Sequence, residues 1–213
     1  MKNVENLSGE SKCIHAGIKD YEFGPVIPPI YQTSTFKFRD AKHGGALFKG
    51  EEKGYIYSRM GNPTIEAMED AIAALEGGAK ALGCSSGMAA INTVFNALLS
   101  AGDHVVCSRS VYGPTSTLLK NIFGKFGVEA DFVNSENIEE VESAVKPNTK
   151  IVYVETPGNP TLAITDLEKA AEIAHRNGAM LVVDNTFMSP AIQRPFEFGA
   201  DVVVHSMTKF LNG

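Results

Sequence analysis

The sequence predicts an α/β protein whose sheet is mainly parallel and buried on both faces. Two observations carry this. Short runs rich in valine, such as "HVVC", "KIVYVE", "MLVVD" and "DVVVH", read as strands without the in–out alternation of a half-exposed sheet. Helical stretches of about ten to fifteen residues separate them, which is the spacing of βαβ units. A chain of 213 residues, 44% hydrophobic and 21% charged, has enough apolar material for one substantial core.

Residues 1–60 stand apart. "GPVIPPIYQTSTF" holds three prolines and little helical period, so this stretch is expected to be an extended arm. It either straps its own domain or wraps a neighbouring subunit. Residues 61–213 are expected to form the α/β domain. "NPTIEAMEDAIAALEGG" opens it with a cap residue and Pro63 at the first helical position. Ile65, Met68, Ile72 and Leu75 fall on one face, and Gly77–Gly78 ends the helix. "AKALGC" is a short apolar run read as the first strand. "GMAAINTVFNALLSAG" is a helix with Ile91, Val94, Phe95 and Leu98 inward, and "HVVC" a strand. "PTSTLLKNIFGKFG" is a helix and "VEADFV" a strand. "NIEEVESAV" is a helix and "KIVYVE" a strand. "TDLEKAAEIAHRNG" is a helix, and "MLVVD" and "DVVVH" are the last strands.

Several function classes are disfavoured. A formal charge of −6 and a pI near 5.4 would repel nucleic acid and anionic membranes, though not a local anion site. Cys13, Cys84 and Cys107 are odd in number and far apart, which favours reduced thiols in a cytoplasmic protein. "MKNVENLSGE" lacks the apolar core of a signal peptide, and no apolar run has membrane-spanning length. The histidines show no ligand spacing, so no metal is expected.

In such sheets ligands sit beyond the carboxyl ends of the strands. Five strand ends there offer "SSGM", "SRSVYGPT", "TPGNP", "DNTF" and "SMTK". Ser85, Ser86 and Gly87 open a helix, where free N–H groups and a close backbone suit a phosphate, although a plain serine cap reads the same way. Neither a nucleoside-triphosphate loop nor a G-x-G-x-x-G fingerprint occurs. Asp184 closes an apolar strand, where a carboxylate is costly unless paired. Lys209, beyond the last strand, becomes a nucleophilic amine if its surroundings are dry. Each alone has an ordinary reading. Together they suit pyridoxal 5′-phosphate (PLP), which has an aldehyde for the lysine, a phosphate for the helix start and a pyridine nitrogen for the carboxylate.

"YIYSRMGNPT", "SSGMAAI", "VYGPT", "ETPGNPTL", "VVDNTF" and "HSMTKFLNG" resemble, in that order, the motifs of the Cys/Met-metabolism PLP-dependent enzymes, the trans-sulfuration family. The resemblance implies an aspartate-aminotransferase-like (PLP fold type I) large domain in a cytoplasmic homotetramer made of two active dimers. It implies that Lys209 is the Schiff-base lysine and a proton carrier. Asp184 would pair with the pyridinium nitrogen, and Ser86, Gly87, Met88, Ser206 and Thr208 would hold the phosphate. Tyr112 would stack on the ring and act as acid or base. Asn159 would lie near the phenolic oxygen. Tyr57 and Arg59 would reach the phosphate of a neighbouring subunit, which assigns the arm.

The implied reaction is γ-elimination or γ-replacement on L-methionine, L-cystathionine or an O-acyl-L-homoserine. A γ-lyase such as cystathionine or methionine γ-lyase is the first expectation. Cystathionine γ-synthase or O-acetylhomoserine sulfhydrylase is the alternative. Two departures stand out. Family members are nearly twice this length, so the sequence reads as an N-terminal half without the small domain and its carboxylate-gripping arginine. Such a piece alone is expected to be inactive, a binding or assembly module. Methionine γ-lyases also typically carry a cysteine two residues after the tyrosine, where Pro114 stands here. "SMTK" further fits the S-x-x-K of penicillin-binding proteins, but it comes after a valine run rather than opening a helix, and neither S-D-N nor K-T-G lies beyond it.

Overall fold

The computed structural model describes residues 4–212, which divide into two compact units, one ending at Gly83 and the other beginning at Cys84. The first unit holds three α-helices, α1 (Gly9–His15), α2 (Ala41–Lys49) and α3 (Pro63–Glu76). The expected uniform arm is therefore interrupted. Ser8 caps α1 through Ser11 N–H, and Asp40 caps α2 through His43 N–H. Between them the proline-rich stretch has no regular structure beyond one antiparallel bridge, Thr35 with Tyr57.

Helix α3 obeys its sequence signals closely. The Asn62 side chain accepts from Thr64 N–H, Pro63 stands in the first turn and Gly77 closes the end. The face expected to point inward is less buried than its pattern suggests. Ile65 is exposed and Met68, Ile72 and Leu75 are half-buried, whereas Ala67 is buried where Gly17 lies against it.

The second unit is a five-stranded parallel sheet in the order β2-β1-β3-β4-β5. Its strands are β1 (His104–Ser108), β2 (Glu129–Val133), β3 (Thr149–Glu155), β4 (Met180–Asp184) and β5 (Val202–Val204). Its helices are α4 (Gly87–Leu98), α5 (Gly113–Asn121), α6 (Ile138–Ser143), α7 (Leu167–Arg176) and the single turn α8 (Ser189–Ile192). The chain leaves β1 toward β2, then crosses back to β3 and continues to β5. That reversal makes a switch point between β1 and β3, where a crevice opens beyond the strand ends.

Alternating strand residues feed two cores. Ile151, Tyr153 and Val182 pack with Ile91, Phe95, Leu119 and Phe123 under α4 and α5. Val152, Val154, Leu181 and Val183 pack with Leu167, Ala170 and Ala174 of α7 on the opposite face. Phe95 is fully buried, its ring edge-on to Phe123 and Tyr153 at centroid distances of 5.6 and 5.3 Å.

One expected strand is not formed. "AKALGC", residues 79–84, carries no strand, and Leu82 is 72% exposed. A strand exists only through its ladder, and among the described residues none pairs with this run.

Candidate functional site

Burial and strand register bring most of the expected site residues to one place. A cavity of about 190 Å³ opens beyond the carboxyl ends of β1, β3, β4 and β5. Its lining includes Ser86, Gly87, Met88, Tyr112, Asn159, Asp184, Ser206, Thr208 and Lys209. Tyr57 and Arg59 belong to the first unit, where the Arg59 guanidinium lies 5.2 Å from the centre of the Tyr57 ring.

Helix α4 supplies one wall. Ser86 caps it, its hydroxyl accepting from Ala89 N–H at 3.1 Å, so the first turn meets the cavity with N–H groups lacking intrahelical partners. Gly87 is required by proximity. A Cβ there would lie 2.8 Å from the Ser206 Cβ and 3.1 Å from its Cα. The α4 start and the Ser206 loop therefore form a cradle that a side chain at position 87 would fill.

Asp184 ends β4 with only 6% of its surface exposed. Its Oδ1 accepts from Thr186 N–H at 3.1 Å and from Thr186 Oγ1 at 2.6 Å, an Asx-type turn that fixes the carboxylate. The Tyr153 hydroxyl donates to Oδ2 at 3.4 Å. Burial still raises the Asp184 pKa, with the Thr186 bonds opposing it. A carboxylate so placed favours a cationic partner. Thr186 Oγ1 in turn accepts from Ser206 N–H at 2.9 Å, so one hydroxyl joins the carboxylate to the cradle.

Tyr112 precedes α5, with Pro114 in the first turn of that helix. Pro114 thus has a local role as a helix starter with a preset φ. Lys209 corrects an expectation. Its role as a nucleophilic amine is tied to dry surroundings, but here it is exposed, in a short turn where its N–H donates to Ser206 O at 3.2 Å. The edge strand β5 ends at Val204, so its neighbours bury little of the chain beyond that residue.

The sequence reading missed Glu155. This residue ends β3, is 2% exposed, lines the cavity and stands in register with Asp184 on the neighbouring strand. Its Oε2 accepts from Tyr112 N–H at 2.6 Å and Oε1 from Asn159 N–H at 3.3 Å. Burial, and secondarily the charge of Asp184, push its pKa up to about 7. The signal was a charged residue directly after the buried apolar run "IVYV". Thr186, the other residue overlooked, is visible only as a hydroxyl two positions beyond an aspartate.

A glycine cradle at a helix start, a buried acid suited to a cation and an amine on one rim fit the phosphate, ring nitrogen and aldehyde of PLP. Residues 10–213 match the family model described as Cys/Met metabolism PLP-dependent enzyme. The chain belongs to this family. It is similar to an L-methionine gamma-lyase of Fusobacterium nucleatum subsp. nucleatum, 51% identical over 202 residues, covering 94% of this chain and 51% of that protein. Among solved structures it is similar to metB from Corynebacterium glutamicum, with a TM-score of 0.92 and 42% identity over 99% of this chain and 53% of that one. A chain from Campylobacter jejuni, described as an O-acetylhomoserine (thiol)-lyase (metY) with N′-pyridoxyl-lysine-5′-monophosphate, gives a TM-score of 0.91 at 34% identity, covering 97% of this chain and 51% of that one. The chain spans about half the length of the relatives it matches. The family resemblance and the parallel α/β fold expected from sequence are both borne out.

Proposed function

We propose that this chain provides the cofactor-binding large domain of a PLP-dependent enzyme of sulfur amino acid metabolism. Its reaction is γ-elimination or γ-replacement on L-methionine, L-cystathionine or an O-acyl-L-homoserine. The observation that carries the reading is a buried carboxylate, Asp184, sharing one cavity with an amine, Lys209, and a glycine-dependent cradle at a helix start.

When bound, PLP supplies an electron sink conjugated to the substrate α-carbon. The protein's part is to hold and orient. The first-turn N–H groups of α4, with Ser86, Gly87, Met88, Ser206 and Thr208, would hold the phosphate. Asp184, kept rigid by Thr186 and Tyr153, would keep a proton on the ring nitrogen. Lys209 would hold the aldehyde carbon and then carry protons between substrate carbons. Tyr112 would lie against the ring with its hydroxyl toward the leaving group, and Asn159 would face the phenolic oxygen.

The working form is a cytoplasmic homotetramer in which Tyr57 and Arg59 reach the phosphate of a neighbouring subunit. Two features support this. The first unit leaves Phe23, Val26, Ile27 and Ile30 exposed, Phe23 at 96%. A guanidinium also suits a phosphate through paired bonds. Among the described residues no helix is long and apolar enough to cross a membrane.

The test is chemical. The purified protein, incubated with PLP and reduced with borohydride, should carry a stable pyridoxyl mark on Lys209, located by peptide mapping. A separate, unreduced sample of the PLP-loaded protein, completed with the second half that its relatives carry, should convert L-methionine, L-cystathionine or an O-acyl-L-homoserine to an α-keto acid or a replacement product. A mark on another lysine, or none in protein that remains folded, would overturn the assignment.

A further inference from the structure

Among the described residues, Glu155 is the one buried acid of the cavity with no role in the proposed reaction, and its position is costly. It faces Asp184 across neighbouring strand ends, in register, and both carboxylates are almost fully buried. Like charges so placed oppose each other, so whatever Glu155 does must offset both burial and repulsion.

Its contacts show what that is. The two N–H groups it accepts come from different loops, and each belongs to an expected site residue, Tyr112 after β1 and Asn159 after β3. These loops flank the β1/β3 switch point. They also touch directly, because a Cβ at Gly158 would fall 2.4 Å from the carbonyl oxygen of Ser110. Behind them a chain of buried hydroxyls fixes the same region. Ser135 donates to Ser108 Oγ at 2.8 Å and Thr165 donates to Ser135 Oγ at 2.7 Å. The Ser108 hydroxyl accepts from Ser110 N–H at 3.2 Å. The loops are thus pinned from behind by neutral groups and in front by one carboxylate.

We propose that Glu155 is a positioning residue whose carboxylate clamps the Tyr112 and Asn159 loops together and so sets both side chains against Asp184. The proposal rests on the PLP reading for its catalytic consequence, but the clamp itself belongs to this chain. Glutamine at this position keeps the shape and loses the charge. Its amide can offer an acceptor to only one of the two N–H groups.

The experiment compares the parent protein with Glu155→Gln and Glu155→Asp. In cofactor-free protein, amide hydrogen exchange at Tyr112 and Asn159 should quicken roughly tenfold or more in Glu155→Gln, with Leu181 in β4 unchanged as an internal control. Glu155→Asp, which keeps the charge on a shorter arm, should fall between. In PLP-loaded protein completed with the second half that its relatives carry, kcat should drop roughly 10- to 100-fold with KM changed far less, since geometry rather than substrate contact is lost. Exchange at both amides within twofold of the parent would overturn the proposal. If Glu155→Gln loses protection at Leu181 as well, Glu155→Asp decides by the same two amides. Absence of a borohydride mark on Lys209 in the parent would sink the PLP reading alone, since the exchange arm reads the clamp without cofactor.

Discussion

Replacing Glu155 with glutamine should remove one contribution to the pH dependence of stability, a decline between pH 4.5 and about 7. The carboxyl's pKa in the folded chain is about 7, against 4.5 when free. Below pH 4.5 it is protonated in the folded and the unfolded chain alike, and it contributes no pH dependence. Between 4.5 and about 7 the unfolded chain releases this proton while the folded chain keeps it. The folded state then binds more protons, so stability declines as pH rises. Above about 7 both states are ionised and the loss is complete, at about 3 kcal/mol for an interval of this width.

His104 works in the opposite sense. Burial lowers its pKa, so the unfolded chain takes up its proton first as pH falls through 6.5. Its contribution is common to parent and variant and cancels in the difference. The assay is urea unfolding of the cofactor-free protein at half-unit steps from pH 4.5 to 8. The gap between the two stability curves should change by roughly 2–3 kcal/mol across the range. Curves parallel within about 0.5 kcal/mol, which is near the resolution of such measurements, would refute the idea that Glu155 keeps its proton in the folded state.

Three further outcomes are expected. Gly87→Ala forces a methyl against Ser206 and should cost about 1–3 kcal/mol while weakening PLP binding, read by denaturation and by cofactor titration. Asp184→Asn removes the buried charge; it should shift the absorbance of bound cofactor and, in protein completed with the second half its relatives carry, lower turnover by about 100-fold or more, since a ring proton would lose its counter-charge. Phe95→Ala opens the core between α4 and the sheet and should destabilise by about 3–5 kcal/mol, measured by urea unfolding.

Much of the molecule is legible in its residues. Helix α3 can be bounded at both ends because Asn62, Pro63 and Gly77 are local signals, independent of anything distant. The central strands β1, β3 and β4 are visible because burial on both faces leaves nearly continuous apolar runs. "AKALGC" fails as a strand because pairing is non-local; six residues cannot say whether a ladder awaits them. Periodicity overstates the burial of Ile65 for a related reason, since it names a face but not what covers it. Lys209 is recognisable from its neighbours, yet its exposure depends on how much of the surroundings extends past β5. Glu155 escapes notice because a lone glutamate at a strand end reads as solvated, and only the folding back of Tyr112 and Asn159 reveals it as an acceptor.

The hydroxyl of Thr186 has a consequence for recognition. It donates to Asp184 and accepts from Ser206 N–H, so the seat for an anion and the seat for a cation are gauged against each other by one oxygen. A ligand whose two poles are spaced differently must break that caliper to be accommodated at both ends. Selectivity for molecular length is thereby written into a side chain that need not touch the ligand at all. Serine, which keeps the oxygen, should preserve that ruler, and valine, which keeps only the shape, should erase it.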